Sequence, residues 1–187
     1  MKKRSIEARD IAFVGVMAAM IYVVTLFRFP LLGSKVHFAN AVCLLAGMLL
    51  GPLQGGLAAG IGSALYDAFG GYDFVNVMIT FVSKFAMAWV CGRLMRRAER
   101  AHRVDRTVLS AVAGALTYVA LYMVKTFIYS KFVYGYPMDG VWAAMGGKLI
   151  PSLINAAVAI IAAPVFFHAV LPVLRTSGIS RHFGPET

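Results

Sequence analysis

With 187 residues, 60% of them hydrophobic, 14% charged and a mean hydropathy of +0.75, the chain lies outside the range of soluble domains and inside that of polytopic membrane proteins. At about 20 residues per crossing, this length supplies roughly six spans with short loops and leaves no room for a separate globular domain. The net charge of +10 does not read as a nucleic-acid footprint: no recognition helix or aromatic-basic platform accompanies it, and the basic residues gather at the ends of apolar runs.

The N-terminal MKKRSIEARD carries Lys2, Lys3, Arg4 and Arg9, and the first predicted span covers residues 11–29. It is long enough to cross and no small-residue cleavage site follows it, so it reads as a retained helix rather than a cleaved signal. Gly15 and Ala19, four apart, give it a small-residue face that another helix can approach closely, and Arg28 near its end reads as interfacial. Pro30 ends the span, a polar loop with Lys35 and His37 follows, and the second span takes residues 37–50. That is short for the hydrocarbon thickness, which implies a helix with little tilt, one enclosed by protein, or one that starts earlier than the pattern reveals.

A charge-free Gly51-Pro52 turn leads to the third span, residues 53–69. Its spacings Gly51-x-x-x-Gly55 and Gly56-x-x-x-Gly60-x-x-x-Ala64 place small residues on one stripe. Each such glycine costs about 1 kcal/mol against alanine in a soluble helix, whereas a membrane helix uses it as a packing groove. The helix pair from Asn40 to Gly71 therefore reads as scaffold, with only Asp67 at its outer end bearing on chemistry.

The fourth span, residues 74–94, runs into Arg93, Arg96, Arg97, Arg100, Arg103 and Arg106. The fifth covers residues 107–133 and is followed by YGYPMDG; the sixth covers residues 141–174, contains Pro151 and Pro164, and ends at Arg175 with Arg181 beyond. Six spans put all three basic clusters on one side, so residues 1–187 read as one all-α transmembrane domain with cytoplasmic N- and C-termini. Cys43 and Cys91 sit in apolar runs and read as small core residues, and neither a metal site nor a cofactor is expected. No internal repeat is visible.

Ionisable groups at bilayer depth are costly and face a cavity or a partner. Here they line up on three helices: Tyr118, Tyr122, Lys125 and Tyr129 on span five, Asn76, Thr80 and Lys84 on span four, and Lys148, Ser152 and Asn155 on span six. Spacings of three and four keep each set on one face. Lys125 and Lys148 fall roughly 11 to 12 Å inside the outer ends of their spans and Lys84 near mid-depth. A pocket opened to the outside would hold a polar ring-shaped or anionic ligand between these ammonium groups and tyrosine faces. Asp67 reads either as a counter-ion for Lys84 or as part of the pocket, and His37 borders its mouth. Tyr134, Tyr136 and Trp142 read as an aromatic belt, Lys131 as snorkelling, and His168 as a lone histidine without a catalytic or metal role.

Six spans in under 200 residues, the Gly15/Ala19 face and the hairpin VHFANAVCLLAGMLLGPLQGGLAAGIGSALYDAF together resemble the substrate-binding S component of an energy-coupling factor (ECF) transporter. In that family span one carries Ala-x-x-x-Ala, which packs on the shared T component; here the segment reads Gly15-Val16-Met17-Ala18-Ala19, with glycine replacing the first alanine. The resemblance implies a vitamin-binding subunit in the bacterial plasma membrane, working with a T component and two ATPase subunits. Its ligand cavity is expected among spans four to six, closed by the first outer loop. The chain has no Gly-x-x-x-x-Gly-Lys-Ser/Thr phosphate loop, so it reads as a non-enzyme whose partners hydrolyse ATP. Riboflavin-binding members carry an Asn-Leu-Ile-Lys-like run on span six, where this chain has Lys148-Leu149-Ile150-Pro151. Riboflavin, pyridoxine and a pyrimidine precursor all remain open as ligands. Two readings from other classes stand beside this one: an ion-coupled secondary transporter relaying through Asp67 and Lys84, and an intramembrane enzyme, for which no nucleophile turn or metalloprotease motif is present.

Overall fold

A computed structural model describes residues 7–31, 34–96 and 104–176. Among these residues the chain forms six α-helices: α1 (Ala8–Leu26), α2 (Ala39–Leu50), α3 (Pro52–Phe69), α4 (Phe74–Arg96), α5 (Val104–Ile128) and α6 (Met138–Thr176). Between α1 and α2 the expected polar loop is instead an antiparallel hairpin of β1 (Arg28–Leu31) and β2 (Ser34–His37), with Arg28 opposite His37 and Phe29 opposite Val36. Pro30 does not prevent it, because a two-stranded ribbon consists only of edges, where proline is tolerated.

The bundle is built around α2. All twelve of its residues are buried, and α1, α3, α4, α5 and α6 surround it. Its shortness is thereby explained: a helix enclosed by others meets no lipid and has no thickness to match. Leu44 and Cys43 are fully buried and share one core cluster with Met87 and Cys91 of α4, Ala111 and Ala115 of α5, Ala159 and Ala163 of α6, and Ile21 of α1. Close approach depends on glycine at the α2–α4 crossing. A Cβ on Gly92 would stand 2.6 Å from the Gly47 carbonyl oxygen and 2.7 Å from the Pro52 nitrogen, and one on Gly47 would strike the Ala88 carbonyl. Gly51 turns α2 into α3 at φ 82°, in the left-handed region, and the Arg96 guanidinium donates to the Leu50 carbonyl at 3.0 Å, placing a cation at the C-terminus of α2.

Facing outward are Val16, Val23, Val82, Trp89, Leu116, Val124, Ile161 and Val165, an apolar girdle suited to lipid. Four helical stretches, Ala8–Leu26, Phe74–Arg96, Val104–Val133 and Met138–Val173, are long and apolar enough to cross a membrane. The stretch from 104 to 133 is not one regular helix, since α5 gives way to a π-helical turn at Tyr129–Val133. Arg9, Arg93, Arg96 and Arg106 lie at the bundle end opposite the β-hairpin; Lys2, Lys3, Arg4, Arg97, Arg100, Arg103 and Arg181 lie outside the described residues.

The turn before α4 shows how this segment is pinned. Asp73 accepts from the Asn76 backbone N–H at 3.1 Å and from the Asn76 side-chain amide, capping the helix N-terminus. These bonds hold its carboxyl below the ordinary aspartate range. A lowered pKa means that the stabilisation is complete above the ordinary value of about 4 and disappears as pH falls through the lower, folded-state value. Melting temperature should therefore drop between about pH 5 and about pH 2, and Asp73→Ala should flatten that drop. An identical acid profile in the variant would refute the cap.

Candidate functional site

At the hairpin end of the bundle a cavity of about 360 Å³ opens among the helices, within the usual size range for small-molecule sites. The three polar stripes meet in it. Asn76, Thr80 and Lys84 enter from α4, Tyr118, Tyr122 and Lys125 from α5, and Lys148, Ser152 and Asn155 from α6. Helical periodicity brings each set to one face, and the antiparallel order α4–α5–α6 brings the three faces together. Asp67 from α3 and His37 from β2 complete the set of expected residues, so that of the expected substrate residues only Tyr129 lies outside the lining. Tyr129 starts the π turn, where α-helical periodicity stops; its ring stands 6.3 Å from that of Tyr134 and 5.5 Å from Lys125 Nζ.

Lys84 lies deepest. It is 4% exposed, and its Nζ donates to Asn40 Oδ1 of α2 while standing 3.8 Å from the centroid of the Tyr118 ring. An amide oxygen and an aromatic face thus hold the ammonium by dipole and quadrupole. Among the described residues the alternative pairing with Asp67 does not form; the neighbour is Asn40, on α2 about two turns before the glycine crossing at Gly47. Tyr118 and Tyr122 stack one turn apart, centroids 6.1 Å apart and planes 14° from parallel, so α5 offers a flat aromatic wall beside the ammonium.

The rim is organised by α6 and the hairpin. Pro151 has no N–H to give to the preceding turn, and the neighbouring Ser152 Oγ folds back to donate to the Lys148 carbonyl at 2.7 Å, so this hydroxyl is already engaged within α6 where the helix passes the cavity. Asn155 Oδ1 accepts from the His37 backbone N–H at 3.0 Å, tying the hairpin to α6. Arg28 of β1 does more than sit at an interface: its guanidinium lies 5.2 Å from the centroid of the Tyr66 ring, and both line the cavity.

The helix pair α2–α3 supplies more of the site than its scaffold reading allows. Asn40, Ser63 and Tyr66 line the cavity along with Asp67, as do Thr25 of α1 and Tyr72 of the α3–α4 turn. Asn40, the polar residue at the head of an otherwise apolar run, was the available signal. At the far end of the bundle His168 shares a hydrogen bond of 3.2 Å with the fully buried Thr107, a bond between α5 and α6. On α1, Gly15 and Ala19 are exposed, and a Cβ on Gly15 would meet no heavy atom within 4 Å.

The family model "ECF-type riboflavin transporter, S component" matches residues 5–171. An "Uncharacterized protein in gap 3'region" of Pyrococcus woesei is 31% identical over 99 residues, 51% of this chain and 66% of that relative, so the match spans just under two thirds of the relative's length. The solved structure "Structure and mechanism of the S component of a bacterial ECF transporter" superposes with a TM-score of 0.71 over 89% of this chain and 97% of that one, at 16% identity. At that identity the likeness concerns the fold; the residues that line the polar cavity all fall within the stretch that the family model matches.

Proposed function

We propose that this chain, which belongs to the ECF-type riboflavin transporter S-component family, captures a small water-soluble vitamin or precursor in its polar cavity for ATP-driven uptake. It is an integral membrane protein, and the carrying observation is the convergence of Lys84, Lys125 and Lys148 with the Tyr118–Tyr122 wall in one cavity of an otherwise apolar bundle. Such a site orients a flat heteroaromatic ring by stacking and fixes its polar edge by charge-assisted hydrogen bonds. Riboflavin, pyridoxine and a pyrimidine precursor fit that description. We read the six helices as six crossings of the bacterial plasma membrane with cytoplasmic termini, and the ATPase activity as residing in partner subunits.

A thermal-shift screen of the purified chain against B vitamins and their precursors tests the reading. A ligand at 100 times its Kd adds about 2.7 kcal/mol, which for a chain of this size raises Tm by roughly 5–10 °C. Absence of any shift across the panel would overturn it. In proteoliposomes the single chain should bind but not accumulate its ligand, and uptake driven by a proton gradient without partners would favour the secondary-transporter reading instead.

The exposed Gly15 and Ala19 are the surface we assign to the T component. Leucine at position 15 enters open space within this chain, yet it would fill the groove a partner helix needs. Gly15→Leu should therefore abolish co-purification with the T component while leaving ligand binding unchanged. Normal assembly would contradict the assignment.

A further inference from the structure

We propose that the ligand is an anion, a molecule with a carboxylate or phosphate group that seats among Lys84, Lys125 and Lys148. This rests on the ligand-binding reading above and narrows it: of the ring-shaped vitamins named there, it is a form carrying an acidic group, such as riboflavin 5′-phosphate, that the site holds. Arg28, Lys84, Lys125 and Lys148 line the cavity, and among the described lining residues the one carboxylate is Asp67. The four cations come from β1, α4, α5 and α6, so the excess is not the solvated face of one basic helix. Snorkelling accounts for an exposed lysine such as Lys148, and not for Lys84, which is 4% exposed.

Lys84 decides the argument. Its partners, the Asn40 amide oxygen and the Tyr118 ring, are both neutral, so the ammonium is solvated in place without being neutralised. A low-dielectric cavity magnifies such a field, and a bound anion is the species that compensates it. The ammonium lies over the Tyr118 ring and Tyr122 stands one turn along α5, which leaves the Tyr122 ring to meet an apolar ring of the ligand while its acidic substituent meets Lys84. A neutral vitamin would be recognised by amides and hydroxyls and would leave the cations uncompensated.

Matched pairs give the test: riboflavin 5′-phosphate against riboflavin, nicotinate against nicotinamide, and pantothenate against pantothenol. Each is titrated calorimetrically into the purified full chain, with the cation thiamin as a further probe. In at least one pair the charged member should bind roughly 10-fold to 100-fold more tightly, and its affinity should weaken as salt rises. The pair that responds tells phosphate from carboxylate. Lys148→Gln, at an exposed position that does not threaten folding, should reduce that preference severalfold, and Lys84→Gln should reduce it further. Neutral members binding as tightly as charged ones, preferential binding of thiamin, or an undiminished preference in both variants overturns the anion inference and leaves the vitamin-binding reading intact. No binding by any of these probes or by any other B vitamin overturns both.

Discussion

Gly92→Ala should lower the melting temperature of the purified protein more than any cavity substitution. The added methyl would stand 2.6 Å from the Gly47 carbonyl oxygen and 2.7 Å from the backbone at Gly51 and Pro52, atoms held by two helices and a turn rather than by a yielding side chain. Overpacking of this kind costs about 1–3 kcal/mol, and with backbone on every side the upper end applies, a loss of roughly 6–12 °C in Tm. Gly15→Ala is the matched control. Its methyl enters open space, and exchanging glycine for alanine within a helix stabilises it, so Tm should hold or rise slightly. Equal melting of the two variants would show that the α2–α4 crossing can relax, and the account of α2 as the bundle's fixed centre would fail.

That same crossing explains what was legible beforehand and what was not. The stripes 76/80/84, 118/122/125 and 148/152/155 stood out because polar side chains at helical spacing are conspicuous against an apolar background, and periodicity alone puts each on one face. Asn40 and Ser63 have no periodic company. Their place in the cavity depends on how closely α2 and α3 approach α4, tertiary distances set by Gly47 and Gly92 for α2 and by Gly56 and Gly60, against Phe85 and Phe81, for α3. An apolar run reads the same whether it faces lipid or protein, so only packing reveals that α2 is enclosed. Tyr129 follows Lys125 at an α-helical period in the sequence, but it opens the segment where the helix widens to a π turn, and periodicity does not carry across such a change of pitch. The β-hairpin is four residues a side with a proline in it, too short and too weakly patterned to distinguish from a loop.

Lys84→Met should reduce ligand affinity by roughly 100-fold or more while leaving the fold intact, a separation that a purely structural lysine would not give. Two opposing effects act on stability. Removing the cation relieves its desolvation, and the thioether can lie on the Tyr118 face that the ammonium occupied. Against this, Asn40 is 2% exposed and loses the donor its amide oxygen now accepts from, which costs about 1–3 kcal/mol. The balance should be a modest drop in Tm, and the double variant Lys84→Met, Asn40→Leu should recover most of it because both partners are then apolar. Binding should not recover, since the charge that meets the ligand is still missing. Lys125→Ala and Lys148→Ala, at less buried positions, should each weaken binding by about 10-fold, because water competes for their hydrogen bonds. If Lys84→Met melts lower but retains the affinity of the unaltered chain for whichever vitamin stabilises it, Lys84 is a strut between α4 and α2, and the ligand is held by the rim alone.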